Sequence, residues 1–382
     1  MEKDFIIDGT VYSAGKSSNS VTPCNFTTAE QPLIIAEIGT SHGTDPVKAR
    51  ELVDAAAMSG AGCVKFQMVY AEEILHPNTG DVLLPGGLVR LYDTFKCLEV
   101  PPSFYADIKD YAESKGLLFL CTPFGPRSAR ELWELRPKAF KIASPEINYT
   151  ALVKQVAGYG LPVFLSTGVA KLGDIEETLE FFSPEKVCLL HCVTAYPAPE
   201  KNYNLRTLES LGAVFGTAMG VSDHSTDPEL VPALAAAMGA AAIEKHFCLS
   251  RSDPGLDDPI ALTPDLFARM VRAVTNAAAM DLDEVIAVYS QERGDILVNA
   301  VLGDGVKRLA PSEMANYRRT NRSIHAMRDI AKGEVFEAGM IRVLRTEKIL
   351  RPGLPPSWAE KIIGRKARRF IPDGEGIGFE DC

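Results

Sequence analysis

A (β/α)8 barrel followed by a small β-rich unit is the fold class this sequence predicts, and three observations predict it. Eight short apolar runs rich in β-branched residues recur through the first two thirds of the chain. Stretches long enough for helices separate them, the habit of βα units around a parallel sheet. Beyond about Asp281 the pattern changes to short alternating segments with Gly and Asp turns.

The runs are Leu33–Gly39, Cys63–Gln67, Leu117–Pro123, Ala139–Ser144, Pro162–Gly168, Val187–Cys192, Gly216–His224 (strand-like only at its end, GVSDH) and Ala241–Phe247. Eight units in about 250 residues is the size of a closed barrel, whereas an open doubly wound sheet normally shows fewer. Between them, Asp45–Met58, Pro102–Lys115, Leu172–Phe182, Pro228–Met238 and Pro264–Met280 read as helices. Asp45-Pro46 and Thr263-Pro264 supply the cap and first-turn proline that start two of them.

The expected division is a barrel over residues 1–282, a linker with helical stretches over 283–318, and a β-rich domain over 319–382. In the last, Arg322–Arg345 alternates like short strands around an AKGE turn, and Ile362–Cys382 echoes that pattern. So short a unit has little core of its own and is expected to dock on the barrel.

The formal net charge of −10 argues against general nucleic-acid binding. Residues 316–382 nevertheless hold 14 Lys and Arg against 9 Asp and Glu, so a basic tail faces an acidic body. Either this is plain surface charge or the basic unit helps hold an anionic substrate. No run of about 18 apolar residues occurs, and MEKDFIIDGTVY has no basic segment leading into an apolar one. A cytoplasmic protein without membrane contact is expected. The eight cysteines are scattered without a CxxC pair, which reads as reduced core residues.

Polar residues stand at the end of nearly every run, where a barrel builds its active site. His224 in SDHS and His246 in EKHF end successive runs and so become neighbours at the mouth, which suits a divalent transition ion with open positions. Two unrelated histidines with local hydrogen bonds are the ordinary alternative. Lys65 in VKFQ and Lys141 in FKIAS converge near the axis, where burial without an anion is costly, and they fit a doubly anionic ligand such as a phosphorylated carboxylate. Thr122, Ser144, Ser166 and Ser222 can add neutral donors to phosphate oxygens. Glu37, the lone carboxylate of IIAEIG, is a candidate acid, base or water-orienting group, with a salt bridge to Lys65 as the structural alternative. His42, in GTSHG, is expected on the first loop in contact with substrate.

At these residues the chain resembles the sialic acid synthase family over nearly its whole length. IIAEIGTSHG, VKFQ, CTPF, KIASPE, LSTG, HCVTAYPAP, GVSDHS and EKHF occur in the family's order, and NRSIHAMRDIAKGE, RPGLPP and IGRKARRFIP resemble its SAF, or antifreeze-like, domain. The resemblance implies condensation of phosphoenolpyruvate with an N-acylated amino sugar, giving a nonulosonic acid and phosphate. It implies that His224 and His246 hold Mn²⁺, with Mg²⁺ or Co²⁺ as alternatives. It implies further that Lys65, Thr122, Lys141, Ser144, Ser166, Thr194 and Ser222 hold phosphoenolpyruvate, and that Gln67, Glu146, Tyr196 and Asp257 lie near the metal or sugar. Arg322 is the position that reaches the sugar's N-acyl group in the partner subunit's barrel, which makes a domain-swapped homodimer.

Three departures fall on the acceptor half. Pro145 stands where many members have Gly, Asn321 where a second Arg is frequent, and DPGLDDPIALTP replaces the usual PGPDHKASLEP. N-acetylmannosamine and a 2,4-diacetamido-trideoxy hexose, leading to legionaminic- or pseudaminic-type acids, are therefore both open as acceptors. A 3-deoxy-sugar-phosphate synthase and a non-catalytic carbohydrate-binding protein are the remaining readings. The first would need a second cationic pocket, and the second gives no reason for two lysines and two histidines to coexist.

Overall fold

The computed structural model describes residues 4–13, 27–28, 31–84 and 87–382. Eight strands form one parallel sheet: β1 (Leu33–Gly39), β2 (Cys63–Met68), β3 (Leu118–Pro123), β4 (Phe140–Ile142), β5 (Val163–Ser166), β6 (Val187–Cys192), β7 (Ala218–Asp223) and β8 (Ala242–His246). The hydrogen-bonded order is β3-β2-β1-β8-β7-β6-β5-β4, with β8 pairing β1 from Leu33 to Glu37. The pairing of last with first curls the sheet into the expected barrel, and β3 and β4 meet at the seam without a ladder.

Side chains alternate across each strand, and the two faces build two cores. Outward residues such as Ile34, Val64, Phe119, Leu189 and Ile243 pack under the helices. Inward residues change character along the strand. Ile35 is followed inward by Glu37, Cys63 by Lys65, Leu120 by Thr122, Ala139 by Lys141, Phe164 by Ser166, Leu190 by Cys192 and Ala242 by Glu244. An apolar floor thus lies beneath a polar layer that opens at the carboxyl ends of the strands. On β7 the inward position at floor height is Gly220, where an added Cβ would lie 2.4 Å from the Ala242 carbonyl oxygen.

The floor is stopped from below by a hairpin, Asp4–Ile7 against Thr10–Ser13. Its turn residues Asp8 and Gly9 both have positive φ, the geometry that matches strand twist. Phe5 and Ile7 are buried in the floor, with the Phe5 ring edge-on to Phe164 at 5.0 Å.

The segment read as a linker is largely structural. Helices Leu282–Arg293 and Asp295–Leu302 bury Val285, Tyr289, Val298, Val301 and Leu302 in the barrel's outer core. In the tail, β9 (Arg322–Ala326) pairs antiparallel with β10 (Ile341–Arg345) over a compact core including Ile324, Phe336, Ile371 and Ile377. It docks on its own barrel. His76 meets Asp373 at 3.1 Å, and Asn148 exchanges hydrogen bonds with the Arg322 backbone. Among the described cysteines, Cys63, Cys121, Cys188, Cys192, Cys248 and Cys382 are buried and free, whereas Cys97 is exposed at a helix end and corrects the core reading there. Cys24 lies outside the described residues. No helix among the described residues is long and apolar enough to cross a membrane.

Candidate active site

The polar layer above the floor holds a four-membered charge network. Lys65 Nζ lies 2.7 Å from Glu37 Oε2, 3.3 Å from Thr122 Oγ1 and 3.7 Å from Glu244 Oε1. Lys141 Nζ donates to Ser166 Oγ at 2.7 Å and lies 3.8 Å from the same Glu244 oxygen, to which Ser222 Oγ also donates at 2.9 Å. Gln67 Nε2 donates to Glu37 Oε1 at 2.6 Å. All these side chains except Gln67 are buried. The salt bridge between Glu37 and Lys65 is present, as the structural alternative expected.

Burial and charge set the protonation states in opposite ways for the two lysines. Burial works against a charged Lys65, but Glu244 and Glu37 outweigh it and raise its pKa. Burial prevails at Lys141 and lowers its pKa, although Glu244 pulls the other way. Burial opposes ionisation of Glu244 too, yet Lys141 and Lys65 hold it down at about 2. The network sets two lysines against two glutamates. A ligand with a phosphate and a carboxylate can compete with Glu37 and Glu244 for the two lysines.

Nearer the mouth, His224 and His246 face each other with ring centroids 5.3 Å apart. Tyr196 stacks on His224 at 4.3 Å and stands edge-on to His246 at 5.8 Å. His224 Nδ1 lies 3.0 Å from the Val193 carbonyl oxygen, so Nδ1 carries a proton and Nε2 faces Tyr196 OH at 3.4 Å. Asp257 Oδ2 lies 3.7 Å from His246 Nδ1. Burial, reinforced by His224, lowers His246 to about 3 and keeps it neutral. At His224 burial is outweighed by Cys192 and the Val193 carbonyl, which raise it to about 9. Among the described residues no three His, Cys, Asp or Glu side chains are gathered as a complete metal site. Two imidazole rings, one with Nδ1 held by a backbone carbonyl so that an ion would take Nε2 in exchange for its proton, fit an ion whose other positions are left to substrate and water.

Ser144 and Thr194 close on the backbone of Gly168, beside Cys192 of β6. Gly168 N donates to Ser144 Oγ at 2.9 Å, and a Cβ on Gly168 would fall 2.1 Å from Thr194 Oγ1. Only glycine leaves room for both hydroxyls.

Two expected residues stand elsewhere in the fold. His42 does not face the charge network. It packs between Phe104, at 4.8 Å, and Phe66, on the outer side of the barrel, with both ring nitrogens buried and unpartnered. Burial, reinforced by Lys48, lowers it to about 4, which makes it a neutral member of an aromatic layer. Arg322 meets its own chain. Its guanidinium lies 2.9 Å from Glu146 Oε1 and donates to the Phe124 carbonyl at 2.6 Å and to that of Glu73, fully buried. Arg345 shares the same Glu146 oxygen at 2.7 Å. Glu146 therefore belongs to the joint between barrel and tail. Arg322, on β9, thus meets the segments that follow β2, β3 and β4 of its own barrel.

Breaking a buried ion pair by removing one partner costs about 3–5 kcal/mol, since the other charge is left uncompensated. Arg345 remains beside Glu146, so Arg322→Ala is expected to cost about 3 kcal/mol, at the lower end of that range. The check is an unfolding transition of the tail at lower denaturant concentration than in wild type. Unchanged unfolding would show that the pair does not hold the joint.

Sequence reasoning left Glu244 out of the site although its strand-end position was visible, and it left out Arg345 and Glu313. Glu313 had no visible signal. Its carboxylate reaches backbone amides 144 and 119 residues away.

Comparison with known proteins agrees with this architecture. The NeuB family model matches residues 52–285 and the SAF domain model residues 321–381. The spore coat polysaccharide biosynthesis protein SpsE of Bacillus subtilis is 35% identical over 91% of this chain and 92% of its own. The SpsE crystal structure superposes with a TM-score of 0.78 at 32% identity, covering 99% of this chain and 98% of that one. N,N'-diacetyllegionaminic acid synthase of Campylobacter jejuni is 32% identical over 91% of this chain and 99% of its own. Human N-acetylneuraminate-9-phosphate synthase is 28% identical over 90% of each. On sequence, fold and domain order together, the chain belongs to the NeuB family.

Proposed function

We propose that this protein is a transferase that condenses phosphoenolpyruvate with an N-acyl amino sugar to give a nonulosonic acid and phosphate. One observation carries the reading: Lys65 and Lys141 flank Glu244 in the barrel, directly beneath the facing imidazoles of His224 and His246. The relatives' names support the same reaction class.

In this reading Lys65 and Lys141 bind the phosphate and carboxylate of phosphoenolpyruvate, and Thr122, Ser144, Ser166, Thr194 and Ser222 orient its oxygens. His224, through Nε2, and His246 would hold a divalent ion, Mn²⁺ in first place with Mg²⁺ or Co²⁺ as alternatives, which when bound supplies Lewis-acid polarisation of the acceptor's open-chain carbonyl. The methylene carbon of phosphoenolpyruvate attacks that carbonyl carbon, and positive charge develops at the carbon bearing phosphate. Glu37, held by Lys65 and Gln67, stands where a carboxylate stabilises that cation and orients the water that captures it. Loss of phosphate by C–O cleavage completes the reaction. Tyr196 and Asp257, beside the histidines, frame the acceptor.

N-acetylmannosamine is the simplest acceptor. The altered DPGLDDPIALTP loop, which buries Asp258 against Ser41 and puts Asp257 beside His246, favours a relative such as a 2,4-diacetamido-trideoxy hexose. The test is phosphate release from phosphoenolpyruvate with Mn²⁺ across a panel of N-acyl hexoses. Release is expected with at least one sugar, and a diacetamido hexose is expected to outrun N-acetylmannosamine. A clear preference for N-acetylmannosamine would remove the acceptor assignment, and no release with any sugar would remove the reaction.

A further inference from the structure

The connection between the two domains grips two loops of the barrel mouth by their backbones. Glu313 Oε1 accepts from Val169 N at 2.7 Å and from Thr194 N at 2.8 Å, while Oε2 accepts from Ala310 N at 3.0 Å. The carbonyls of the same two residues are also held. Asn321 Nδ2 donates to Val169 O at 3.1 Å, and Asn316 Nδ2 donates to Thr194 O at 3.1 Å. Lys307 Nζ adds a bond to Thr167 O at 2.8 Å. Both polar groups of Val169 and of Thr194 are therefore fixed by side chains from residues 313–321.

Val169 explains why so many bonds converge there. It is β-branched, buried and left-handed, with φ +43°. That conformation is strained for valine and persists only where the surroundings over-determine it. What the strained turn achieves is visible beside it. Gly168 is pressed against the hydroxyls of Ser144 and Thr194, with its amide on Ser144 Oγ. The amide of Thr194, fixed by the same Glu313 oxygen, sets the height of the second hydroxyl.

We infer that residues 307–321 are a positioning clamp for phosphoenolpyruvate, with Glu313 as its centre: the clamp holds the 167–169 turn and Thr194 so that the Ser144 and Thr194 hydroxyls stay fixed around Gly168, beside Cys192, the inward residue of β6. Glu313 touches no reacting atom and acts through the two loops. The role assigned to phosphoenolpyruvate rests on the proposed function, whereas the clamp itself rests on the bonds above. Asn321, a departure from the family's frequent Arg, finds its use here.

Glu313→Ala frees both amides, and a misplacement of the order of 1 Å in a positioning group costs about 100-fold in efficiency. The loss is expected as a rise in KM for phosphoenolpyruvate with the KM for the amino sugar unchanged. Glu313→Gln keeps a carbonyl oxygen for both amides and is expected to recover most of the loss, which a purely ionic role would not allow. Should Glu313→Ala not fold, Asn316→Ala and Asn321→Ala each release one carbonyl and are expected to raise the same KM selectively. Unchanged KM for phosphoenolpyruvate, or equal rises in both KM values, overturns the inference. Amide hydrogen exchange separates it from the proposed reaction. If wild type shows no turnover, faster exchange at Val169 and Thr194 in Glu313→Ala still supports the clamp, and unaltered exchange there refutes it.

Discussion

His224→Ala is expected to abolish phosphate release from phosphoenolpyruvate while the protein stays folded. The ring is one of the two facing imidazoles at the mouth, and its Nδ1 is committed to the Val193 carbonyl, so Nε2, beside Tyr196 OH, is the nitrogen left for an ion. Truncation leaves His246 alone beside Asp257 and removes the surface on which Tyr196 stacks. A Lewis acid contributes several kcal/mol to the barrier, so losing it costs about a thousandfold or more in kcat/KM. The fold tolerates the change because the bond from the His224 amide to Tyr203 OH, at 2.7 Å, uses no atom of the His224 side chain. Steady-state phosphate release, Mn²⁺ titration by electron paramagnetic resonance and a melting curve together make the check. Full activity in a variant that no longer binds Mn²⁺ would remove the metal from the mechanism, and tight Mn²⁺ binding by the variant would remove His224 from the metal.

Lys141→Ala is expected to have an effect of similar size by a different route. It deletes one of the two lysines of the network, leaves Glu244 with Lys65 and Ser222, and frees Ser166 Oγ from its 2.7 Å bond. A dianionic ligand entering this cavity then meets a surplus of carboxylate. Removing one charged partner of a buried pair costs about 3–5 kcal/mol, or about 10²–10³-fold in capture of phosphoenolpyruvate. Lys141→Arg should not restore it, since a planar fork does not fit where a compact ammonium sits between Ser166 and Glu244. Wild type carries a pH signature of the same residue. Lys141 binds an anion only while protonated, and burial lowers its pKa, so capture is present below that pKa and is lost as pH rises through it. The alkaline limb of kcat/KM for phosphoenolpyruvate is expected below the ordinary lysine range. A limb at the ordinary position would mean that a different group controls it.

Much of this site was legible because each barrel strand interrupts an apolar run with a polar inward residue. Lys65, Lys141, Ser166 and Ser222 could be placed by counting alternate positions from Cys63, Ala139, Phe164 and Gly220. His42 lies three residues past the end of β1, where alternation no longer holds, and its ring turned to the outer layer between two phenylalanines. Arg322 was legible as a functional arginine but not as one that meets its own chain, because periodicity says nothing about how domains dock. The N-terminal hairpin carried a readable signal, Asp8-Gly9 between alternating apolar residues, that went unused. Glu313 could not have been found, since bonds to backbone amides leave no mark on the sequence of the loops that supply them.

Among the described residues, the stopper formed by Phe5 and Ile7 closes the barrel at the floor end. The lysines sit on the layer next to the floor, and the histidines one inward residue further along their strands. On the proposed reaction, the deeper guest must arrive before the shallower one, and the sugar acid must depart before the inorganic anion beneath it. Turnover is then a matter of queueing as well as chemistry, and the tail docked beside the rim stands next to the way in.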